Sequence, residues 1–172
     1  DLFTGLYNEE YLYGEGKKII DKYTTSAVCM FRISNIEETN EKYSRKLGNQ
    51  VIIDVSKGVQ KNISKEYIFI RYMGPKFVIV FSGVSTESVV DFITNIKNNV
   101  ESQKISLKDD FEEIDLEKLN SKKETKKKAK LQEVNAKLNF VVTTYYKGTG
   151  MEEVLKKMEQ YLDSCGKNEN SI

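Results

Sequence analysis

"YIFIRYMGPKFVIVF", residues 67–81, sets the only proline of the chain at a tip between two runs of β-branched and aromatic residues. Tyr67 to Tyr72 and Phe77 to Phe81 show almost no polar alternation, the composition of strands near the centre of a sheet. Gly74 followed by Pro75 suits a two-residue type II′ hairpin, which wants positive φ first and a φ near that of proline second. The stretch therefore predicts a hairpin, and the neighbouring segments predict what flanks it. Upstream, "SAVCMFRI" (26–33) reads as a buried strand and "SNIEETNEKYS" (34–44) as a helix capped by Ser34 or Asn35. A longer helix starts at about Gly48 and carries Val51, Ile52, Val55, Val59 and Ile63 on one stripe.

Downstream of the hairpin, residues 85–102 form a third amphipathic helix, with Val89, Phe92, Ile93, Ile96 and Val100 facing inward. "LNFVVTTYY" (138–146) is a further strand, and "MEEVLKKMEQYLDSC" (151–165) a closing helix. Residues 8–23 have helical spacing interrupted by Gly14 and Gly16, which predicts a broken helix. Between about Gln103 and Ala136 lies an excursion: an acidic block from Asp109 to Glu117, then a lysine block from Lys122 to Lys130. Such blocks read as solvated surface, with Ile105 and Leu107 among the residues able to anchor the first half and the lysine-rich half the more mobile. The order of elements gives an α/β domain whose sheet is mixed.

Composition excludes several functions. With 172 residues the chain is long enough for one domain with a real core, and Lys+Arg 27 against Asp+Glu 26 leaves a net charge of +1. Nothing global draws it to nucleic acid or to an anionic membrane, and the lysine block lacks interleaved aromatics. There is no histidine, the commonest metal ligand and general base at neutral pH. Cys29 and Cys165 lie far apart and read as reduced thiols of a cytoplasmic protein.

Three separately spaced segments resemble the GGDEF family of diguanylate cyclases. "DLFTGLYNEEYL" (1–12) is similar to the D-x-L-T-G-L-x-N-R opening, and its start at Asp1 implies a piece cut from a longer protein. "RISNIEETNEKYSRKLGNQVI" (32–52) follows D-x-D-x-F-K-x-I-N-D-x-Y-G-H-x-x-G-D-x-V-L without a gap, and "RYMGPKF" (71–77) falls where R-Y-G-G-D-E-F belongs. The resemblance implies one GGDEF domain over residues 1–172, with the charged excursion at about 103–136. Its fold would be the palm of nucleotidyl cyclases, a mixed five-stranded sheet wrapped by helices with the signature hairpin at 67–81.

In active members two GTP molecules on facing domains condense to cyclic di-GMP. That displacement needs Mg²⁺ or Mn²⁺ held by carboxylate oxygens at about 2.0–2.2 Å. The resemblance places those carboxylates at Arg32 and Pro75, and the signature glutamate at Lys76. The signature thus reads Met73, Gly74, Pro75, Lys76, Phe77, and Met73 replaces the glycine that lets backbone approach phosphate. The Phe-Lys pair on the phosphate side reads Ile36 and Glu37. Of the two guanine-reading positions, Asn is kept as Asn40 and Asp has become Asn49, which loses a charged acceptor. The product-inhibition pair falls at Ser64 and Tyr67, and the lysine of the closing helix is displaced to Lys167 or absent.

These departures lead to the expectation of a non-catalytic domain with no metal and no cofactor. It would act on a protein partner, on a neighbouring domain of the same chain or by pairing with another GGDEF-like domain. Weak or no GTP binding is expected, no nucleic acid and no direct membrane contact. The domain would be cytoplasmic, including as the cytoplasmic part of a membrane-anchored protein. The alternative is a metal-independent nucleotide sensor whose candidate contacts are Arg32, Lys76, Asn40 and Asn49, with Arg32 and Lys76 holding phosphate by charge-assisted bonds. An active cyclase is the third and least supported class.

Overall fold

A computed structural model of the chain describes residues 1–107 and 132–165. The elements, in chain order, are a helical segment in three parts, α1 (Glu9–Tyr11), a π-helical turn (Leu12–Gly16) and α2 (Lys17–Ile20), then β1 (Thr25–Ile33), α3 (Ile36–Lys42), α4 (Arg45–Lys61), β2 (Ile68–Arg71), β3 (Lys76–Ser82) and α5 (Thr86–Glu101). They are followed by β4 (Lys104–Leu107), β5 (Gln132–Asn135), β6 (Leu138–Tyr146) and α6 (Met151–Ser164).

The central sheet runs β2-β3-β1-β6, and its three strand pairs are all antiparallel. The expected five-stranded mixed sheet is therefore realised as four strands. Its parallel component is a single bridge between Tyr7 and Ile70 at the β2 edge. The reason is local: Gly5 takes φ +75° and gives its N–H to the Asp1 carbonyl at 2.8 Å, which turns the chain off the edge before a fifth strand can form. β4 and β5 pair with each other as a separate ribbon.

β1 is buried on both faces, and its side chains divide with the two-residue period of a strand. Ala27, Cys29, Phe31 and Ile33 enter the core made with α4 and α5, through Val51, Val55, Val59, Ile93 and Ile96 among others. Val28 and Met30 enter the opposite core, closed by Leu12 and Ile20 on one side and by Leu155, Met158 and Leu162 of α6 on the other. The result is a sheet between two helical layers. Parity then fixes the site: Arg32 on β1 and Lys76 on β3, which pair across the two strands, continue the series that faces α6.

Several local readings are sharpened. α4 begins one turn before Gly48, because Ser44 caps it by accepting from the Leu47 N–H. Asn35 sits at the N-cap of α3 but makes no side-chain cap bond; its amide instead donates to the Asn135 carbonyl at 2.9 Å and accepts from the Lys137 N–H at 3.0 Å. Residues 8–23 are broken as expected, and the break is a π turn over the two glycines. At Gly16 an added Cβ would lie 3.3 Å from Ile68 Cδ1 and 3.2 Å from Leu12 Cδ1, so that helix lies tight on the sheet. The ends of the excursion are ordered: Ile105 is buried, and Leu107 and Val134 pack against the core. Residues 108–131, with both charge blocks, and Lys167 lie outside the described residues.

Candidate functional site

The signature hairpin closes on Met73–Lys76. Gly74 has φ +55° and the Lys76 N–H donates to the Met73 carbonyl at 3.0 Å, the positive-φ turn expected, but the register sets Arg71 opposite Phe77 and bonds the Tyr72 N–H to Lys76, so the tip holds three residues, Met73 to Pro75, and not two. The Pro75 carbonyl accepts from the Ile33 N–H at 3.0 Å and extends the β1–β3 ladder to the tip. Phe77 is fully buried and stacks on Phe31 with ring centroids 5.0 Å apart. Met73 is exposed at the hairpin tip, at 53%.

Arg32 and Lys76 lie side by side where the resemblance puts carboxylates, and both are engaged from α6. The Lys76 ammonium sits 2.7 Å from Glu159 and 3.3 Å from Asp163. Arg32 donates one terminal nitrogen to Asp163 at 3.2 Å and the other to the Leu162 carbonyl at 3.1 Å. Glu159 and Asp163 are spaced i, i+4 beside the buried stripe of α6, so packing Leu155, Met158 and Leu162 onto the sheet delivers both carboxylates to the two cations. The Arg32 Nε is buried without a hydrogen-bond partner among the described residues.

A divalent cation does not fit this donor set. Arg32 and Lys76 bring two positive charges, Pro75 spends its carbonyl on the ladder, and Glu159 and Asp163 are committed to ion pairs. Among the described residues no group of three or more His, Cys, Asp or Glu could hold a metal ion. The surroundings also carry a negative field. Tyr72 is pushed above the ordinary tyrosine range first by burial and then by the carboxylates of Glu159, Glu9 and Glu152. Tyr13 is pushed up further, by burial first and then by Tyr72, Glu152, Glu9 and Glu159.

Asn40 and Asn49 stand apart from the charged cluster, on α3 and α4. The Asn40 Oδ1 is buried and lies against Gly48, where an added Cβ would stand only 1.9 Å away, so a larger residue at 48 would push the Asn40 side chain aside; this contact sets Asn40 beside the residue that precedes Asn49. A cavity of about 630 Å³ opens elsewhere, between the N-terminal segment, the end of α4 and the β2 edge, and includes Ser64 and Tyr67 of the former inhibition pair. Sequence reasoning missed Glu159 and Asp163. Their signal was available as an acidic i, i+4 pair flanking the apolar stripe of the last helix.

The family model described as "Diguanylate cyclase, GGDEF domain" matches residues 1–118, and the chain belongs to that family. Solved structures share the fold. The GGDEF domain of PA1120 (TpbB or YfiN) from Pseudomonas aeruginosa superposes with a TM-score of 0.76 at 14% identity, covering 99% of this chain and 91% of that one. The GGDEF domain of DgcB from Caulobacter crescentus, solved in complex with c-di-GMP, gives 0.74 at 16% identity, covering 99% and 92%. Curated relatives named as uncharacterized membrane proteins of Staphylococcus haemolyticus and Staphylococcus aureus are 26% and 24% identical over 111 residues, or 62% of this chain. The match spans 31% of the length of those relatives.

Proposed function

We propose that residues 1–172 form one degenerate GGDEF domain that works without catalysis, as a signalling or interaction module for a protein partner or a neighbouring domain. The observation that carries this reading is the exchange of charge at the hairpin. Where the resemblance puts a metal-binding carboxylate and the signature glutamate, Arg32 and Lys76 stand instead, and they are neutralised by Asp163 and Glu159 of the chain itself. A site that fills its own charge has no vacancy for metal-bound triphosphate, and the displacement cannot be assisted without the metal. Support for a partner comes from a similar solved structure, a Pseudomonas aeruginosa diguanylate cyclase in complex with its activator, with a TM-score of 0.74 at 12% identity. Relatives named as membrane proteins support placing the domain within a membrane-attached protein; among the described residues no helix is long and apolar enough to cross a membrane.

Incubating the purified chain with GTP and Mg²⁺ or Mn²⁺ tests the reading. No cyclic di-GMP above a no-protein control is expected, and robust turnover would overturn it. The metal-independent sensor draws on one observation, the spare Arg32 Nε donor. In that reading phosphate must displace Asp163 and Glu159, so charge-assisted bonds are lost as others form, and the field of Glu9, Glu152 and Glu159 opposes the anion. Calorimetry with GTP separates the two. Micromolar binding that survives EDTA and is abolished by Lys76→Met would establish the sensor, and its absence leaves the interaction module.

A further inference from the structure

Beside β2 the sheet stops short of a fifth strand. The Tyr72 N–H turns inward to the Lys76 carbonyl at 2.8 Å, while the Arg71 N–H turns outward to the Tyr7 carbonyl at 2.9 Å. The alternation of an antiparallel strand therefore aims the Phe69 N–H outward as well, away from β3. If the N-terminal segment stayed parallel to β2, the Gly5 carbonyl would meet that N–H and the Gly5 N–H would meet the Tyr67 carbonyl. Gly5 instead spends its N–H on Asp1 at 2.8 Å and turns away with φ +75°. What remains is the cavity of about 630 Å³, an open strand edge with a wall on either side.

Each face has an apolar part, and Gln60 and Ser64 add polar groups to the lining. Tyr67, Phe69 and Ile63 pack against the core that contains Phe31 and Phe77, whereas Tyr11 and Ile19 pack against the opposite core. Lys61 and Lys65 stand exposed at the rim, with Glu66 as the opposing charge.

We propose that this edge receives an extended segment of a protein partner as an added strand, aliphatic on both faces and acidic at the end that meets Lys61 and Lys65. The strand form follows from the backbone: the Phe69 N–H faces outward from β2 beside the position that Tyr7 already fills, and pairing it with another main chain extends that edge. Aliphatic side chains on both faces follow from the two walls, since successive residues of the guest point alternately to each. The acidic end follows from two lysines against one glutamate. The site lies on the outer edge of the hairpin's first strand, away from the tip and from the Arg32–Lys76 cluster, and stands or falls without reference to cyclase activity.

Selection of phage-displayed random octapeptides on the purified chain tests the proposal. The enriched peptides are expected to combine a Val/Ile-rich run with terminal Asp or Glu. Their synthetic forms should slow hydrogen exchange at the Phe69 amide and bind about tenfold more weakly to the Lys61→Glu, Lys65→Glu variant. Both lysines are exposed, so that variant should fold as the parent does. Failure to enrich any such peptide would overturn the proposal. So would binding that ignores both lysines and leaves Phe69 exchange unchanged. Protection of Phe69 that grows with protein concentration in the absence of peptide would assign the edge to a second copy and overturn it equally.

Discussion

The two feet of the signature hairpin are anchored to opposite ends of the chain. On one foot Arg71 keeps the residue expected of the family and binds Asp1 at 3.0 Å while its Nε holds the Gly74 carbonyl at 3.0 Å. On the other foot Lys76 departs from it and binds Glu159 at 2.7 Å and Asp163 at 3.3 Å. Both cations are mostly buried, and both tie the hairpin to a distant part of the chain: the first to the N-terminal turn, the second to the last helix. The difference teaches that the hairpin's scaffold and its chemistry are separable. Turn geometry rests on Gly74 and on the buried Phe77, neither of which contributes a charge.

The largest effect should come from the scaffold. Phe77→Ala removes a fully buried ring stacked on Phe31 and should cost about 3–5 kcal/mol in urea unfolding. A loss below about 1 kcal/mol would show that the shared scaffold does not hold the hairpin. Next, Lys76→Glu sets a third carboxylate beside Glu159 and Asp163. It should cost about 1–3 kcal/mol, discounted for partial exposure, and the Lys76→Glu, Glu159→Lys double variant should recover most of it. Absence of recovery would mean that the α6 contact is incidental.

An intermediate loss is expected at alkaline pH. Tyr13 and Tyr72 have folded-state values raised above the unfolded one, so their contribution is complete below about pH 10 and disappears as pH rises through the folded values. Thermal unfolding at pH 9 and 11 checks the sign. Replacing both tyrosines by Phe should flatten the profile, and an unchanged slope would contradict it.

Arg71→Gln should cost about 1 kcal/mol and speed hydrogen exchange at Thr4 and Gly5, because the Asp1 anchor is lost. Slower exchange there would reverse the assigned role. Smallest of all, Met73→Gly at the exposed tip should stay within about 0.5 kcal/mol of the parent and bring no cyclase activity.

The four strands of the central sheet were legible because their apolar runs are continuous: 138–146 is the extent of β6, and 26–33 lacks only Thr25 of β1, whereas β4 and β5, four residues each and at least half polar, were hidden in the charged excursion. Helix starts were less so. Ser44 caps α4 through a local bond that no periodicity reveals, and Asn35 uses its amide on residues a hundred positions away instead of on its own helix. The π turn was legible only as a disturbance at Gly14 and Gly16, since the extra residue it accommodates appears once the helix lies on Ile68. At the site, the sequence marked Arg32 and Lys76 as cations in place of carboxylates but did not show where their counter-charges lie. Glu159 and Asp163 are far along the chain, and only the parity of β1 and β3 together with the stripe of α6 brings the four groups onto one face.

The neck of the excursion is fastened from three directions. Asn135 donates to the carbonyls of Glu101 and Gln103 at 3.0 and 3.1 Å, the Glu101 carboxylate accepts from the Leu138 N–H at 2.8 Å, and Asn35 grips Asn135 and Lys137. The β4–β5 pairs and these bonds fasten both described ends of the connection to the body. The neck is therefore an engineering port: a fluorescent reporter or an epitope spliced between Leu107 and Gln132 should be carried by the domain with its hairpin and β2 edge undisturbed.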